Sequence, residues 1–166
     1  MTFNTVKNLV TILTPCYNGA KVIHRLLDSV LVQDYPHIEM IVVDDGSTDN
    51  SKETIESYKS KFEEKGYSLL YIYQNNNGQA AAIDKGLKYV SGEYLIWPDS
   101  DDYFSFPSSI STFVNKFRTL SEDYGIVRCY ANYVDGKDFS LKFVQRHKVL
   151  KERMFVELFN GEESIA

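Results

Sequence analysis

Cysteine is scarce in this chain: Cys16 and Cys129 are the only two in 166 residues. They lie far apart and in no metal-ligand spacing, which excludes a disulfide scaffold or a zinc ribbon and suits reduced thiols of an intracellular protein. Histidines are as sparse, with His24, His37 and His147 scattered and in no cluster. No apolar run approaches the roughly 18 residues that a membrane span requires. The N-terminus carries no charged segment followed by an apolar one, so no signal peptide is expected and a cytoplasmic protein is. Positive charge is also short, with 18 Lys and Arg against 23 Asp and Glu and a net charge of −5. That balance offers no basic footprint for nucleic acid or an anionic membrane. A phosphate bound here would need a metal ion or backbone amides to supply the positive potential.

What the chain does have is enough residues for one domain with a substantial core, and an ordinary globular composition, 43% hydrophobic and 25% charged. The 12 Tyr and 10 Phe suit either carbohydrate handling or a Tyr-rich core. Val10-Thr11-Ile12-Leu13 reads as a buried strand ending at Thr14-Pro15. An apolar stripe at Val22, Ile23, Leu26, Leu27, Val30 and Leu31 predicts a helix to about Gln33. Ile38 to Val43 is a second strand, followed by a helix with Asn50 and Glu53 as a capping box and Ile55, Tyr58 and Phe62 inward. Ser68 to Tyr73 is a third strand. Ala80, Ile83, Leu87 and Val90 share a helix face, and Tyr94 to Trp97 is a fourth strand. Pro107 opens a further helix, with Ile110, Phe113, Val114, Phe117 and Leu120 inward. A strand over Ile126 to Tyr133, its hairpin partner over Phe139 to Val144 and a helix over Lys148 to Phe159 complete the expectation. Strands alternating with helices argue for an α/β fold with a mostly parallel sheet.

In such sheets ligands sit outside the carboxyl ends of the strands. The unusual loops, Thr14–Gly19, Asp44–Asp49, Gln74–Gln79 and Pro98–Asp102, all fall at such ends. The most acidic, Trp97-Pro98-Asp99-Ser100-Asp101-Asp102, is either a turn bonding to its own backbone or a cation site. If it stays extended, Asp99 and Asp101 share a face and suit a hard dication. The first loop has neither the Gly-x-Gly-x-x-Gly of a dinucleotide site nor the Gly-Lys-Ser/Thr of a P-loop. It offers Tyr17, suited to a nucleobase or to loop packing. Cys16 has no base near it in sequence and reads as a space-filler rather than a nucleophile. Asp44 and Asp45 can accept from a base or ribose, or cap the turn before the next helix. Gly78 and Ala80-Ala81-Ala82 allow either a phosphate at a helix N-terminus or tight helix–sheet packing.

Taken together, Val10–Asn18, Glu39–Asp49, Asn77–Ala82 and Gly92–Asp102 resemble the motif series of family 2 glycosyltransferases, in order and spacing, over roughly residues 8 to 107. The resemblance implies an inverting, metal-dependent sugar transferase of the GT-A (Rossmann-like) fold. It would be a single catalytic domain over residues 1–166, with a donor nucleotide-binding half at 8–107 and the start of an acceptor-side half, including the hairpin, at 108–166. It implies that Thr14, Pro15, Tyr17, Asp45, Gly78, Asp99 and Ser100 bind the nucleotide, with Tyr17 against the base and Asp45 bonding to it. Asp101, with Asp99, would ligate Mn²⁺ or Mg²⁺ on the donor diphosphate, and Asp102 would orient the cluster. The expected partners are a nucleotide-sugar, most simply a UDP-sugar, and a glycan or lipid-linked acceptor. Peripheral association with the inner face of the membrane, through segments outside this chain, belongs to the same expectation.

Two positions depart from the family: Pro98, which cannot donate to a sheet ladder and should end its strand early, and Asp84, a site of Asn in the family, which adds negative charge near the pocket. The general base of an inverting transferase belongs to the family's second half. Glu162-Glu163 is the only late carboxylate pair and falls early, so the base is expected outside the chain, with Glu163 the candidate within it. The chain is then the donor-binding half of a longer enzyme. Two other readings stand beside it: a nucleotide-sugar-binding module without turnover, and a nucleotidyltransferase, which would need a basic first loop that Thr14–Gly19 does not provide.

Overall fold

In the computed structural model residues 5–119 are described, and the chain divides into two compact units, residues 1–111 and 112–166. The predicted hairpin, the predicted helix over Lys148 to Phe159, Leu120 and Glu163 lie outside the described residues. Four strands, β1 (Val6–Cys16), β2 (Ile38–Asp45), β3 (Ser68–Gln74) and β4 (Gly92–Ile96), form one sheet. Their order is β3-β2-β1-β4 and every pairing is parallel. Helix α1 (Ile23–Leu31) joins β1 to β2, α2 (Ser51–Glu56) and α3 (Lys59–Lys65) join β2 to β3, and α4 (Gln79–Leu87) joins β3 to β4. Helix α5 (Ser109–Arg118) follows.

The central strands are continuous apolar runs because both of their faces are covered. On one face Ala82 and Ile83 of α4 pack against Leu13, Ile41 and Val43. The alternating residues Val10, Ile12, Met40 and Val42 are fully buried on the other. Helix α4 can lie this close because position 86 is glycine: a Cβ there would meet Leu13 Cδ1 at 2.2 Å and Val43 Cγ2 at 3.0 Å. Ala80 is exposed while Ala82 and Gly86 are buried, so the inward face is turned from the one the sequence suggests.

Three local readings are corrected. The helix after β2 is two helices, interrupted at Ser57 and Tyr58. Thr54 and Ser57 hydroxyls donate back to Asn50 O at 2.8 Å and Thr54 O at 2.7 Å, competing with the ladder. Phase survives the break, so Ile55, Tyr58 and Phe62 are all buried. The capping box does not form. Asn50 makes no side-chain cap, and Asp49 Oδ1 instead accepts the Ser51 N–H at 3.0 Å. Asp84 does not charge the pocket: it is exposed on α4 and pairs with Lys88 Nζ at 3.6 Å.

At the base of the sheet, Glu39 is a clamp. Its carboxylate accepts the Thr11 hydroxyl, the Ser91 N–H at 2.8 Å and the Ser91 hydroxyl at 2.7 Å, fixing the entry into β4. The Gly92 N–H adds a bond to Thr11 Oγ1 at 2.9 Å. The acidic segment leaves the sheet at the opposite end of that anchored strand.

Candidate functional site: a cleft at the carboxyl end of the sheet

A cleft of about 400 Å³ opens where the strands end. Its walls come from the end of β1 and the loop after it (Pro15, Tyr17, Asn18), from Asp45, from Gln79 and from Asp99, Ser100 and Asp101. Of the residues named from sequence, Pro15, Tyr17, Asp45, Asp99, Ser100 and Asp101 therefore meet in one place. Thr14 and Gly78 do not line it. Thr14 is fully buried on β1, with a hydroxyl that has no hydrogen-bond partner.

The loops after β1 and β2 are laced together. Asn18, at φ +51, sits in the left-handed region that Asn tolerates. Its N–H donates to Ser47 Oγ at 2.9 Å, and its Oδ1 accepts the Thr48 N–H at 2.8 Å. Gly19 N–H donates to Ser51 Oγ at 2.9 Å and Ala20 N–H to Asp49 Oδ2 at 3.1 Å. Gly19 is required for close approach, since a Cβ would lie 2.7 Å from Cys16 Sγ. Burial, above all, pushes the Cys16 thiol up, with Asp44 and Asp49 adding to it against the Ser51 bond. A protonated, buried thiol is a filler and not a nucleophile.

Asp44 faces inward, accepting the Tyr71 hydroxyl at 2.7 Å and the Ser47 N–H at 2.8 Å. Asp45, 4% exposed, holds the loop after β3. Its Oδ1 accepts Gln74 Nε2 at 2.7 Å and the Asn77 N–H at 2.8 Å, and its Oδ2 accepts the Gly78 N–H at 2.8 Å. Burial alone would raise this carboxyl; the bonds from Gln74, Asn77 and Gly78 outweigh it and hold it below its ordinary value. The Gly78 N–H thus serves a carboxylate of the chain itself.

The acidic segment is a turn and not an extension of β4. Pairing to β1 stops at Ile96, ahead of Pro98, which has no N–H to give to a ladder. Asp102 N–H donates to Asp99 O at 3.1 Å, and Asp99 N–H to Asp102 Oδ2 at 3.1 Å. Asp102 thereby ties the turn, while Asp99 and Asp101 face the cleft. Loss of water around its carboxyl, then repulsion from Asp102 and Asp101, pushes Asp99 up, and the Gln79 amide pulls it back. Among the described residues no three of His, Cys, Asp and Glu converge as a complete cage for a metal. Two cleft carboxylates beside a third, with no Lys or Arg among the lining residues, fit a hard dication that takes its other oxygens from water and a phosphate ligand.

Sequence reasoning passed over Gln79, Asn18 and Asp49. The positive φ required between β1 and α1 is the signal that marks Asn18; Gln79 and Asp49 act through contacts across the chain that no local pattern carries.

In a parallel α/β sheet the carboxyl end of the strands is where ligands bind, and the acidic, aromatic cleft lies there. The model for glycosyl transferase family 2 matches residues 11–162, and the chain belongs to that family. It is 36% identical to an uncharacterized glycosyltransferase of Rickettsia typhi over 157 residues, covering 94% of this chain and 47% of that one. Among solved structures, S. aureus TarS in complex with UDP-GlcNAc superposes with a TM-score of 0.65 at 27% identity, over 80% of this chain and 37% of that one. The mannosyltransferase PcManGT of Pyrobaculum calidifontis, in complex with GDP-Man and Mn²⁺, gives 0.67 at 27% identity, over 78% and 37%. The sheet and its flanking helices match the GT-A fold of these neighbours. The chain spans less than half the length of each of these relatives. No helix among the described residues is long and apolar enough to cross a membrane.

Proposed function

We propose that this chain binds the donor of a glycosyltransferase that moves a sugar from a nucleoside diphosphate, UDP in the first instance, to a hydroxyl acceptor with inversion. The observation that carries the reading is the meeting of Tyr17, Asp45, Asp99 and Asp101 in one cleft at the strand ends. Tyr17 is 53% exposed and offers a plane to the base. Asp45, charged at neutral pH and fixed by its loop, would accept from a base N–H. Asp101 and Asp99 would hold Mn²⁺ or Mg²⁺. When bound, the ion supplies neutralisation of the charge that gathers on the leaving diphosphate. The relatives support this donor class, being solved with UDP-GlcNAc and with GDP-Man and Mn²⁺. Asp102 keeps the turn closed so that both carboxylates face the donor.

The test is a titration of UDP, GDP and dTDP with and without Mn²⁺, on the wild-type chain and on Asp101→Ala. The reading requires UDP binding that strengthens with Mn²⁺ and a loss of that gain in Asp101→Ala. Metal-indifferent binding in both proteins would remove the metal assignment. Slow hydrolysis of a UDP-sugar by the chain then distinguishes turnover from binding alone.

A further inference from the structure

Gln79 lies between the two carboxylates that bound the cleft. It is the first residue of α4, and its side-chain amide donates to Asp99 Oδ1 at 2.7 Å. The backbone just before it is fixed from the other side, with the N–H groups of Asn77 and Gly78 both donated to Asp45 at 2.8 Å. Gly78 enters the helix at φ +88, a conformation that L side chains rarely adopt, so the direction in which Gln79 leaves is set by the loop. The segment from Asn77 to Gln79 therefore runs from the end of β2 to the turn after β4, with Asn77 and Gly78 held by Asp45 and Gln79 holding Asp99.

The chemistry of the donor also matters. An amide orients a carboxylate without cancelling its charge, whereas a lysine there would compete with a cation. Asp99 has like-charged neighbours in Asp101 and Asp102, and without a fixed donor its side chain would turn away from them. Resting on the donor-site reading above, we propose that Gln79 is a positioning residue: it presents Asp99 to the cation and diphosphate and ties that end of the cleft to Asp45.

The experiment uses the full chain and UDP as the probe, with Gln79→Met, Gln79→Ala, Asp99→Asn and Gln79→Met/Asp99→Asn. Gln79→Met keeps the length of the side chain and removes the amide. The expected result is a loss of about tenfold in UDP affinity with Mn²⁺ present, the scale of one hydrogen bond to a charged group. Without the metal the loss is expected to be clearly smaller, and the melting temperature is unchanged. The double variant is expected to bind no more weakly than Asp99→Asn alone, as for residues that act through one another. Unchanged affinity with Mn²⁺, an equal loss without it, or additive losses would each overturn the positioning role. Gln79→Ala gives the same readouts should the methionine pack differently. A wild-type chain that binds no UDP overturns the donor-site reading and this role with it; metal-dependent wild-type binding with an indifferent Gln79→Met overturns this role alone.

Discussion

Asp49 Oδ2 accepts the backbone N–H of Ala20 at 3.1 Å, joining the loop that ends β2 to the loop that ends β1. The same carboxylate accepts the Ser51 N–H at 3.0 Å and the Ser51 hydroxyl, and Ser51 Oγ in turn accepts the Gly19 N–H at 2.9 Å. Two segments some thirty residues apart are thus one rigid wall of the cleft, and Tyr17 projects from it.

Asp49→Ala removes the acceptor for two backbone N–H groups and the anchor of Ser51. The expected cost is about 1 kcal/mol of stability, the scale of a lost helix cap. UDP affinity is expected to fall as well, because Tyr17 is no longer fixed relative to Asp45. Thermal melts and a UDP titration measure the two effects. An unchanged melting temperature would show that the wall is held by other contacts.

Asp45 and Asp49 share a sign in their response to acid. Burial raises both, but hydrogen bonds from Gln74, Asn77 and Gly78 in one case, and from Ser51 and Ala20 in the other, leave each below its ordinary value. A carboxyl lower in the folded than in the unfolded state stabilises the fold while ionised. That contribution is complete above the unfolded value, about 3.9, and disappears as pH falls through the folded one. Urea midpoints are therefore expected to drop below about pH 4. Asp45→Asn should start lower at neutral pH, fall less steeply, and approach the wild type in acid. Parallel curves would show that other carboxylates carry the acid response.

Gly86→Ala tests the seat of α4 on the sheet. The new Cβ would be 2.2 Å from Leu13 Cδ1, so helix or leucine must move. Overpacking of this kind costs about 1–3 kcal/mol. Because the N-terminus of the same helix carries Gln79, a shift of α4 should also weaken Mn²⁺-dependent UDP binding. The double variant Gly86→Ala/Leu13→Val removes the clashing methyl and is expected to recover part of both losses. Calorimetry of the two variants checks the stability half, and recovery in neither quantity would mean that the clash is not the cause.

The sheet was legible because burial on both faces turns β1 and β2 into apolar runs, Val10–Leu13 and Ile38–Val43. The cleft was legible because chemistry-bearing loops collect at one end of a parallel sheet: Tyr17, Asp45, Asp99 and Asp101 meet there. What stayed hidden depends on partners distant in sequence. β1 starts at Val6, well before its apolar run, because Val6 pairs with Gly92 across a register shift at Asn8, where φ is +63. Asn50 and Asp49 are both good caps by composition, and only the fold selects Asp49. Gly78 with its alanines had two readings; packing accounts for Ala82, which enters the core, while Ala80 is exposed and Gly78 is set by its φ of +88 and gives its N–H to Asp45. Of the two readings offered for the acidic segment, the structure shows the turn, and the cation site remains part of the proposal above. The turn bonds to its own backbone through Asp102 and leaves Asp99 and Asp101 facing the cleft.

Gln33 shows how a residue outside the cleft can govern it. It is 1% exposed, and its amide donates to Ser29 O at 2.9 Å and Phe106 O at 3.0 Å while its Oε1 accepts the Ile110 N–H at 3.1 Å. Beside it, Asp34 N–H donates to Pro107 O at 2.9 Å and Phe104 N–H to Ser29 Oγ at 3.0 Å. The chain leaving the acidic turn is therefore fastened to the end of α1, as its entry is fastened through β4 to Glu39. Gln33→Leu keeps the volume but orphans the buried Ile110 N–H; the Phe106 carbonyl keeps the Ser109 N–H at 3.1 Å. A buried polar group left without a partner costs about 1–3 kcal/mol, and a loss in that range is expected. Urea unfolding measures it. With the downstream anchor gone, Asp99 and Asp101 lose their common orientation, and UDP affinity with Mn²⁺ should fall more than affinity without it. A destabilised Gln33→Leu that binds UDP and Mn²⁺ as the wild type does would show that the turn between Asp99 and Asp102 holds its shape unaided.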